Sequence, residues 1–441
     1  MLIRLTLLGA VCALTGLSAF AALAAAEPAV PEPSVQQSAL TLEEVLARTL
    51  AGNPALAAAD AEWRAVAAEG RRAGRLPNPE LTVSLENVAG EGPYHSTDAA
   101  ELTVALSQPI ELGGKRRLRQ DAADLGRELA ASEQSRANAD VLAAARQRYV
   151  GVLVAQEHLQ LVTRQAQLAE QSLAAAEARI EAGKAPLIDR LRLQGEVGLA
   201  RLAVDQAERG LALARHELAA VWGAQEADFS RVEGELGKLP DLPNLSDVEA
   251  VLEQTSAAAS RRLATGLRAN ELAQARAGRI PDPSLTVGWR QFRESDDNVL
   301  LFGIAFPVPL FDRGEDALAA ARHRLNGAQA REQAERNEAR ASLRFAWQAL
   351  ADARAEAEVL GSQVVPGAAE GFAVADFGYR AGKFGLLELL DAQRTLFEAR
   401  QRQLSAQAAS HLAAIELQRQ LGDEASPAPN PQPPATFPVR L

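Results

Sequence analysis

The sequence predicts a mainly helical chain of long hairpins carrying four strands of membrane type, the whole built twice. Three observations predict it. First, Arg72–Val83 (RAGRLPNPELTV) returns as Arg276–Val287 (RAGRIPDPSLTV), an offset of 204 (276 − 72), while Ala182–Lys184 and Glu217–Gly223 return as Ala381–Lys383 and Glu416–Gly422, each 199 residues on. A period of roughly 200 residues is too long for a solenoid unit, so this is a duplicated domain. Second, aromatics are only 4% of the chain and long Ala-rich, proline-free stretches carry an apolar residue every three or four positions, which is helical sequence. Third, after each Pro-x-Pro (Pro77 to Pro79, Pro281 to Pro283) the apolar period changes to two.

From the N-terminus, residues 1–26 hold Arg4, an apolar stretch from Leu5 to Leu23 and small residues before Glu27, the build of a secretory signal peptide. Cys12, the single cysteine, lies inside that segment behind Val11, which disfavours a lipoprotein signal, so the mature chain is expected to hold no thiol and no disulfide. A formal charge of −11 and a pI near 5.2 argue against nucleic acid as a partner, because phosphate binding needs a basic face. Residues 27–40 form an extended lead-in with Pro28, Pro31 and Pro33, and nothing beyond offers the about 18 to 20 unbroken apolar residues of a membrane-spanning helix.

The first repeat covers residues 41–223. Leu81, Val83 and Leu85, then Leu102, Val104 and Leu106, alternate with small or polar residues, giving strands at about 79–88 and 99–109. Gly114 to Ala182 contains no proline, and its seam, Leu118, Leu125, Leu129, Leu142, Tyr149, Val152, Leu159, Val162, Leu173 and Ile180, suits heptad spacing. At 1.5 Å per residue such a helix reaches on the order of 100 Å. It ends at Gly183, which can take the left-handed conformation that closes a helix, and Leu187 to Trp222 returns. After a linker at 224–245, the second repeat (246–422) has strands at about 283–293 and 298–309, a long helix over Glu315 to Ala381 that Pro366-Gly367 should kink or divide, a closing Gly382 and a return helix over Leu386 to Leu421. Residues 423–441 are a Pro-rich tail.

Strands of about 9 to 11 residues cross a bilayer when tilted, and Trp289, Phe292, Phe302, Phe306 and Phe311 are candidates for aromatic girdles. Four strands cannot close a barrel, and open edges are not tolerated in hydrocarbon. Either they form an ordinary soluble sheet, or several copies close a barrel together. A cyclic trimer would give twelve strands, with six helical hairpins bundled beneath.

From about Thr41 to Gly422 the chain resembles the TolC-like family of outer-membrane efflux channels, most recognisably over Gly378–Arg400 (GYRAGKFGLLELLDAQRTLFEAR). Asn78–Asn87, Ser107–Arg116 and Phe306–Arg313 are most similar to the cation-efflux, or CzcC-like, branch serving resistance-nodulation-division systems. The resemblance implies a fold that is mainly α with membrane β: a periplasmic α-barrel of helical hairpins, and four strands per chain in a trimeric 12-stranded outer-membrane β-barrel. It implies an outer-membrane location with a large periplasmic portion, and a passive conduit, set in outer-membrane lipid, that takes heavy-metal cations from an inner-membrane pump through a periplasmic adaptor protein. It also implies roles. The hairpin tips, Gly183, Lys184, Gly382 and Lys383, would meet the adaptor. Glu388 and Asp391 match an acidic pair ringing the periplasmic mouth in some relatives, and Tyr379 matches a position in their interhelical latch, although Phe384 stands where the best-known pattern has a basic latch residue. Physically, Glu388 and Asp391 at i and i+3 share a helix face, so a threefold ring would gather six carboxylates and favour cations; the structural alternative is that Asp391 is a solvated or salt-bridged helix residue near Arg394.

No enzyme, cofactor or dedicated metal site is expected. His95, His158, His216, His323 and His411 lack ligand spacing, Gly378–Lys383 fails as a phosphate loop because Phe384 replaces Ser/Thr and a helix precedes it, and no serine sits in a nucleophile elbow. Two other functions stay open at this point: an outer-membrane conduit for drugs or secreted proteins, and a periplasmic coiled-coil adaptor.

Overall fold

The computed structural model describes residues 39–422; the expected signal segment, most of the lead-in and the tail lie outside the described residues. In chain order the elements are β1 (Ala39–Leu40), α1 (Leu42–Gly52), α2 (Pro54–Ala73), β2 (Glu80–Glu86), β3 (Glu101–Pro109), α3 (Lys115–Glu181), α4 (Leu187–Ala220), β4 (Arg231–Val232), α5 (Leu245–Leu252), α6 (Ser256–Gly278), β5 (Ser284–Phe292), β6 (Asp297–Ala305), α7 (Glu315–Val359), α8 (Val365–Arg380) and α9 (Leu386–Leu421).

Local chemistry sets the helix limits. Thr41 and Glu44 form a capping box at the start of α1, and the Asn53 side chain accepts from the amides of Ala55 and Leu56 at the start of α2, with Pro54 in the first turn where its missing N–H costs nothing. The 67 residues of α3 run unbroken. Its counterpart divides. Between α7 and α8 the chain passes through one π-helical turn, Leu360–Val364, where the Val365 amide bonds the Leu360 carbonyl five residues back, and Pro366 follows at once. Proline supplies no donor, and the wider turn absorbs that gap without ending the helix.

Small residues bring the hairpin arms together. Ala166 and Ala169 of α3 lie buried against Val197 and Ala200 of α4, and close backbone approach there substitutes for bulky side chains. Nearer the sheet, Tyr149, Val152 and Leu153 of α3 form a larger core with Val45, Leu218, Phe229, Val232 and Leu236. The chain joining the repeats is therefore packed, not free. Its β4 pairs in parallel with β1, Gln156 clamps Val232 through both its amide nitrogen (3.1 Å) and oxygen (2.7 Å), and the buried Tyr149 hydroxyl donates to the Leu40 and Glu233 carbonyls. Burial, reinforced by the Glu233 charge, pushes the Tyr149 phenol up to about 12.

The four long strands form one antiparallel sheet in the order β2-β3-β5-β6, so the seam between repeats is β3 on β5, from Glu101 opposite Phe292 to Pro109 opposite Ser284. The register places Leu81, Val83, Leu106, Val287, Phe302 and Ile304 on one face. The other is polar: Arg290 meets Glu101 at 2.9 Å and Thr103 at 2.9 Å, and the hydroxyls of Thr286 and Ser107 are 3.2 Å apart. Among the described residues no helix is long and apolar enough to cross a membrane.

Candidate functional site

The ends of the two hairpins, farthest along the chain from the sheet, hold the residues singled out by sequence. Both are closed by the same hydrogen-bonded reversal. At the end of α3 the Gly183 amide bonds the Ile180 carbonyl (2.9 Å) and Lys184 bonds Arg179 (2.8 Å); at the end of α8 Gly382 bonds Tyr379 (3.0 Å) and Lys383 bonds Gly378 (2.8 Å). Gly183 and Gly382 stand at φ 71° and 75°, the left-handed region this closure requires and a side chain resists. Gly183, Lys184, Gly382 and Lys383 are all exposed.

The two ends touch through a residue that sequence reasoning missed. The Arg179 guanidinium of α3 lies over the Tyr379 ring of α8, 4.4 Å from its centroid, and also donates to the Tyr379 main-chain carbonyl. Tyr379 is 1% exposed, packed among Ala176, Leu193, Leu386 and Leu389. Its hydroxyl is buried with no hydrogen-bond partner among the described residues. Burial raises its pKa, the Arg179 charge opposes that rise, and Asp189 adds to it. A recess of 340 Å³ opens beside this contact, lined among others by Lys184, Asp189, Arg192 and Glu388.

The duplication explains the asymmetry. At an offset of 199, Arg179 corresponds to Gly378 and Ala185 to Phe384. In the second hairpin the Phe384 ring fills the space above Gly378, where a Cβ would stand 2.0 Å from the ring. One copy thus reaches across with a guanidinium, and the other folds an aromatic ring back on itself. A signal for Arg179 lay in that offset, as an Arg facing a Gly at equivalent positions of two otherwise matching helix ends.

Glu388 and Asp391 share a face of α9 and are both exposed, yet they are not alike. The Glu388 carboxylate curls back over Gly385, the residue capping α9, so closely that a Cβ on that glycine would lie 2.8 Å from it. A carboxylate in the first turn is favoured there by the helix dipole. The Asp391 carboxylate forms no ion pair among the described residues, with Arg394 or otherwise; the Thr395 hydroxyl donates to its main-chain carbonyl at 3.0 Å. Its charge is left to solvent.

The model of the family described as "Outer membrane efflux protein" matches the chain twice, over residues 45–224 and 249–423, once per repeat. The chain belongs to that family. Members of this family are transport conduits of the outer membrane, and this chain is an efflux channel and not an enzyme. It is 34% identical to the cobalt-zinc-cadmium resistance protein CzcC of Cupriavidus metallidurans over 87% of this chain and 90% of that one. It is 30% identical to the nickel and cobalt resistance protein CnrC of the same organism, covering 75% and 76%. Among solved structures it is similar in fold to a membrane protein from Pseudomonas aeruginosa, with a TM-score of 0.75 at 23% identity over 86% of this chain and 93% of that one. The resemblance to the CzcC-like branch therefore holds at the level of named relatives.

Proposed function

We propose that the chain is the outer-membrane channel of a tripartite efflux system, exporting heavy-metal cations passively from an inner-membrane resistance-nodulation-division pump and a periplasmic adaptor to the exterior. The observation that carries the metal assignment is end-to-end similarity to a cobalt-zinc-cadmium resistance protein, covering 90% of that relative. The working unit is a homotrimer: each chain offers four strands with both edges unpaired, and a lipid-facing sheet tolerates no open edge. The apolar face of the sheet meets lipid and the polar face, with Arg290, Glu101 and Thr103, lines the bore.

In this reading the hairpin ends form the periplasmic mouth. Gly183, Lys184, Gly382 and Lys383 present the surface that the adaptor engages. Arg179 and Tyr379 hold the two hairpins of one chain together, in the place where relatives use a basic latch residue that is Phe384 here. Asp391, exposed and unpaired, supplies the acidic ring that favours cations, and Glu388 adds to it from the helix cap. No group on the chain needs to change protonation or bind metal for passage, because the energy is spent at the pump.

The test is growth of a deletion strain, with and without the gene restored, across graded cobalt, zinc, cadmium, copper and silver and a panel of dyes and antibiotics. Sensitivity confined to metals is expected. Sensitivity confined to drugs would keep the channel and overturn the metal cargo.

A further inference from the structure

The stretch that the two repeats share most closely, Arg72–Pro79 (RAGRLPNP) and Arg276–Pro283 (RAGRIPDP), keeps both of its arginines in each copy. It stands where a helix hands over to a strand: α2 ends at Ala73 ahead of β2, and α6 at Gly278 ahead of β5. The other two junctions, residues 110–119 and 306–313, lead from β3 into α3 and from β6 towards α7. The register brings all four to one margin of the sheet, with the hairpin turns at the other.

Those four segments hold nine basic and three acidic residues, a net of +6 in a chain whose formal charge is −11. The turns at the opposite margin, residues 87–100 and 293–296, hold one basic and four acidic residues, a net of −3. At the helix margin the acids are already engaged: Asp282 by Lys115 at 2.7 Å, Glu111 by Arg119, and Asp312 by the Gly314 amide at 2.8 Å. Arg72, Arg75, Arg276 and Arg313 are exposed, and their guanidinium groups make no hydrogen bond or ion pair among the described residues. The helix dipole accounts for Arg72 and Arg276, each in the last turn of its helix. It works against α3, which opens on Lys115, Arg116 and Arg117 with no acid, whereas α7 opens on Glu315 and Asp316. What the margin lacks is an anion from outside the chain.

Apolar surface runs into the same margin. Beyond β6 the alternation that puts Phe302 and Ile304 on the apolar face continues through Phe306, Val308 and Leu310, which are 60–70% exposed, and Arg313 follows three residues on. A recess of 560 Å³ opens beside Arg72 and Arg75, lined also by Leu76 and Arg119. Guanidinium forks suit phosphate oxygens, and apolar side chains next to them suit acyl chains. We propose that this margin is a belt for anionic glycerophospholipids of the phosphatidylglycerol kind, their phosphodiesters on Arg72, Arg75, Arg276 and Arg313 and their acyl chains on the apolar face of the sheet. The proposal rests on the reading of the chain as an outer-membrane channel, in which the helices hang in the periplasm and this margin meets the headgroups of the inner leaflet; it adds the class of lipid and the residues that hold it. The belt also fixes the depth of the sheet, because the arginines stay at the headgroups and out of hydrocarbon.

The test reconstitutes the purified protein into vesicles of phosphatidylcholine and phosphatidylglycerol in equal parts, extracts it in mild detergent and reads the lipid it keeps by native mass spectrometry. The parent is expected to keep phosphatidylglycerol over phosphatidylcholine by roughly fivefold or more, the factor that one arginine near an anionic surface supplies. R72Q/R75Q/R276Q/R313Q, which breaks no internal bond of these side chains, is expected to lose that preference, and R72K/R75K/R276K/R313K to keep most of it. Equal retention of the two lipids by the parent, or an unchanged preference in the glutamine variant, overturns the proposal. If the fourfold variant departs from the parent in circular dichroism, R72Q/R75Q and R276Q/R313Q take its place, each expected to lose part of the preference, and no loss in either overturns the belt. A parent protein that enters neither lipid removes the channel reading itself, and the proposal with it.

Discussion

Replacing Arg179 by leucine removes a polar contact between the two hairpin ends of a chain while keeping an apolar side chain beside Tyr379. A cation over an aromatic face contributes about 0.5–2 kcal/mol, and a charge-assisted bond to a carbonyl about 1.5–3 kcal/mol. Arg179 is partly solvated, so the lower ends apply, giving roughly 2 kcal/mol per chain. If the three chains open together the loss is about 6 kcal/mol, on the order of 10⁴ in the ratio of closed to open mouths. The assay is single-channel recording of the purified trimer in a planar bilayer. R179L is expected to show larger and longer openings than the parent, and R179K, which keeps the charge but not the planar fork, intermediate ones. Recordings of R179L indistinguishable from the parent, with the trimer intact by mass, would refute the idea that this contact holds the mouth.

Three further outcomes follow from other residues. Because the Asp391 carboxylate is exposed without an ion pair and Glu388 is curled over its own helix cap, replacing both acids by Ala is expected to weaken divalent-cation block of the channel, with D391N accounting for most of that loss and E388Q for little of it; equal single effects would show that the cap does not hold Glu388. For Tyr149, a folded pKa of about 12 lies above the unfolded value near 10, so the stabilisation it brings is complete below pH 10 and is lost as pH rises from 10 to 12. Y149F should lower the melting temperature at neutral pH by removing bonds to Leu40 and Glu233 worth about 1–2 kcal/mol, and its melting temperature should fall less than the parent's between pH 10 and 12. G378A forces the Phe384 ring off its seat and is expected to destabilise the tip by about 1–3 kcal/mol, with F384A in the same chain restoring most of it; a double variant no better than G378A would show that the ring is not the obstacle.

How far these features were legible depends on the range over which each signal acts. The strands were readable because period-two alternation is local and the first run of each repeat follows a Pro-x-Pro, and the return helix Leu386–Leu421 because its limits are marked by Gly385 and Gly422. The contact of Arg179 with Tyr379 was not, since it joins residues 200 apart and neither carries a local mark of its partner. The same holds for β1 and β4, two residues each, whose pairing depends on Tyr149 and Gln156 reaching from another helix. Proline at 366 signalled a disturbance in the long helix, but whether a chain breaks, kinks or widens into a π turn is decided by neighbours packed against it. On α9 the spacing of three puts Glu388 and Asp391 on one face but could not tell them apart, because the difference lies in one side chain bending back along its own helix.

The unpaired edges of the sheet also constrain how the protein reaches its membrane. A lone chain that entered lipid would carry two rows of amides and carbonyls with no partner, each costing several kcal/mol in hydrocarbon. Insertion and association therefore cannot be separate events. The rate of appearance in the bilayer should depend on chain concentration more steeply than first order, and a secreted chain waiting for its partners must spend that interval in water with an apolar face uncovered. For the proposed trimer, in which each chain brings only a third of the barrel, a holding chaperone or very fast assembly at the membrane is the biological consequence.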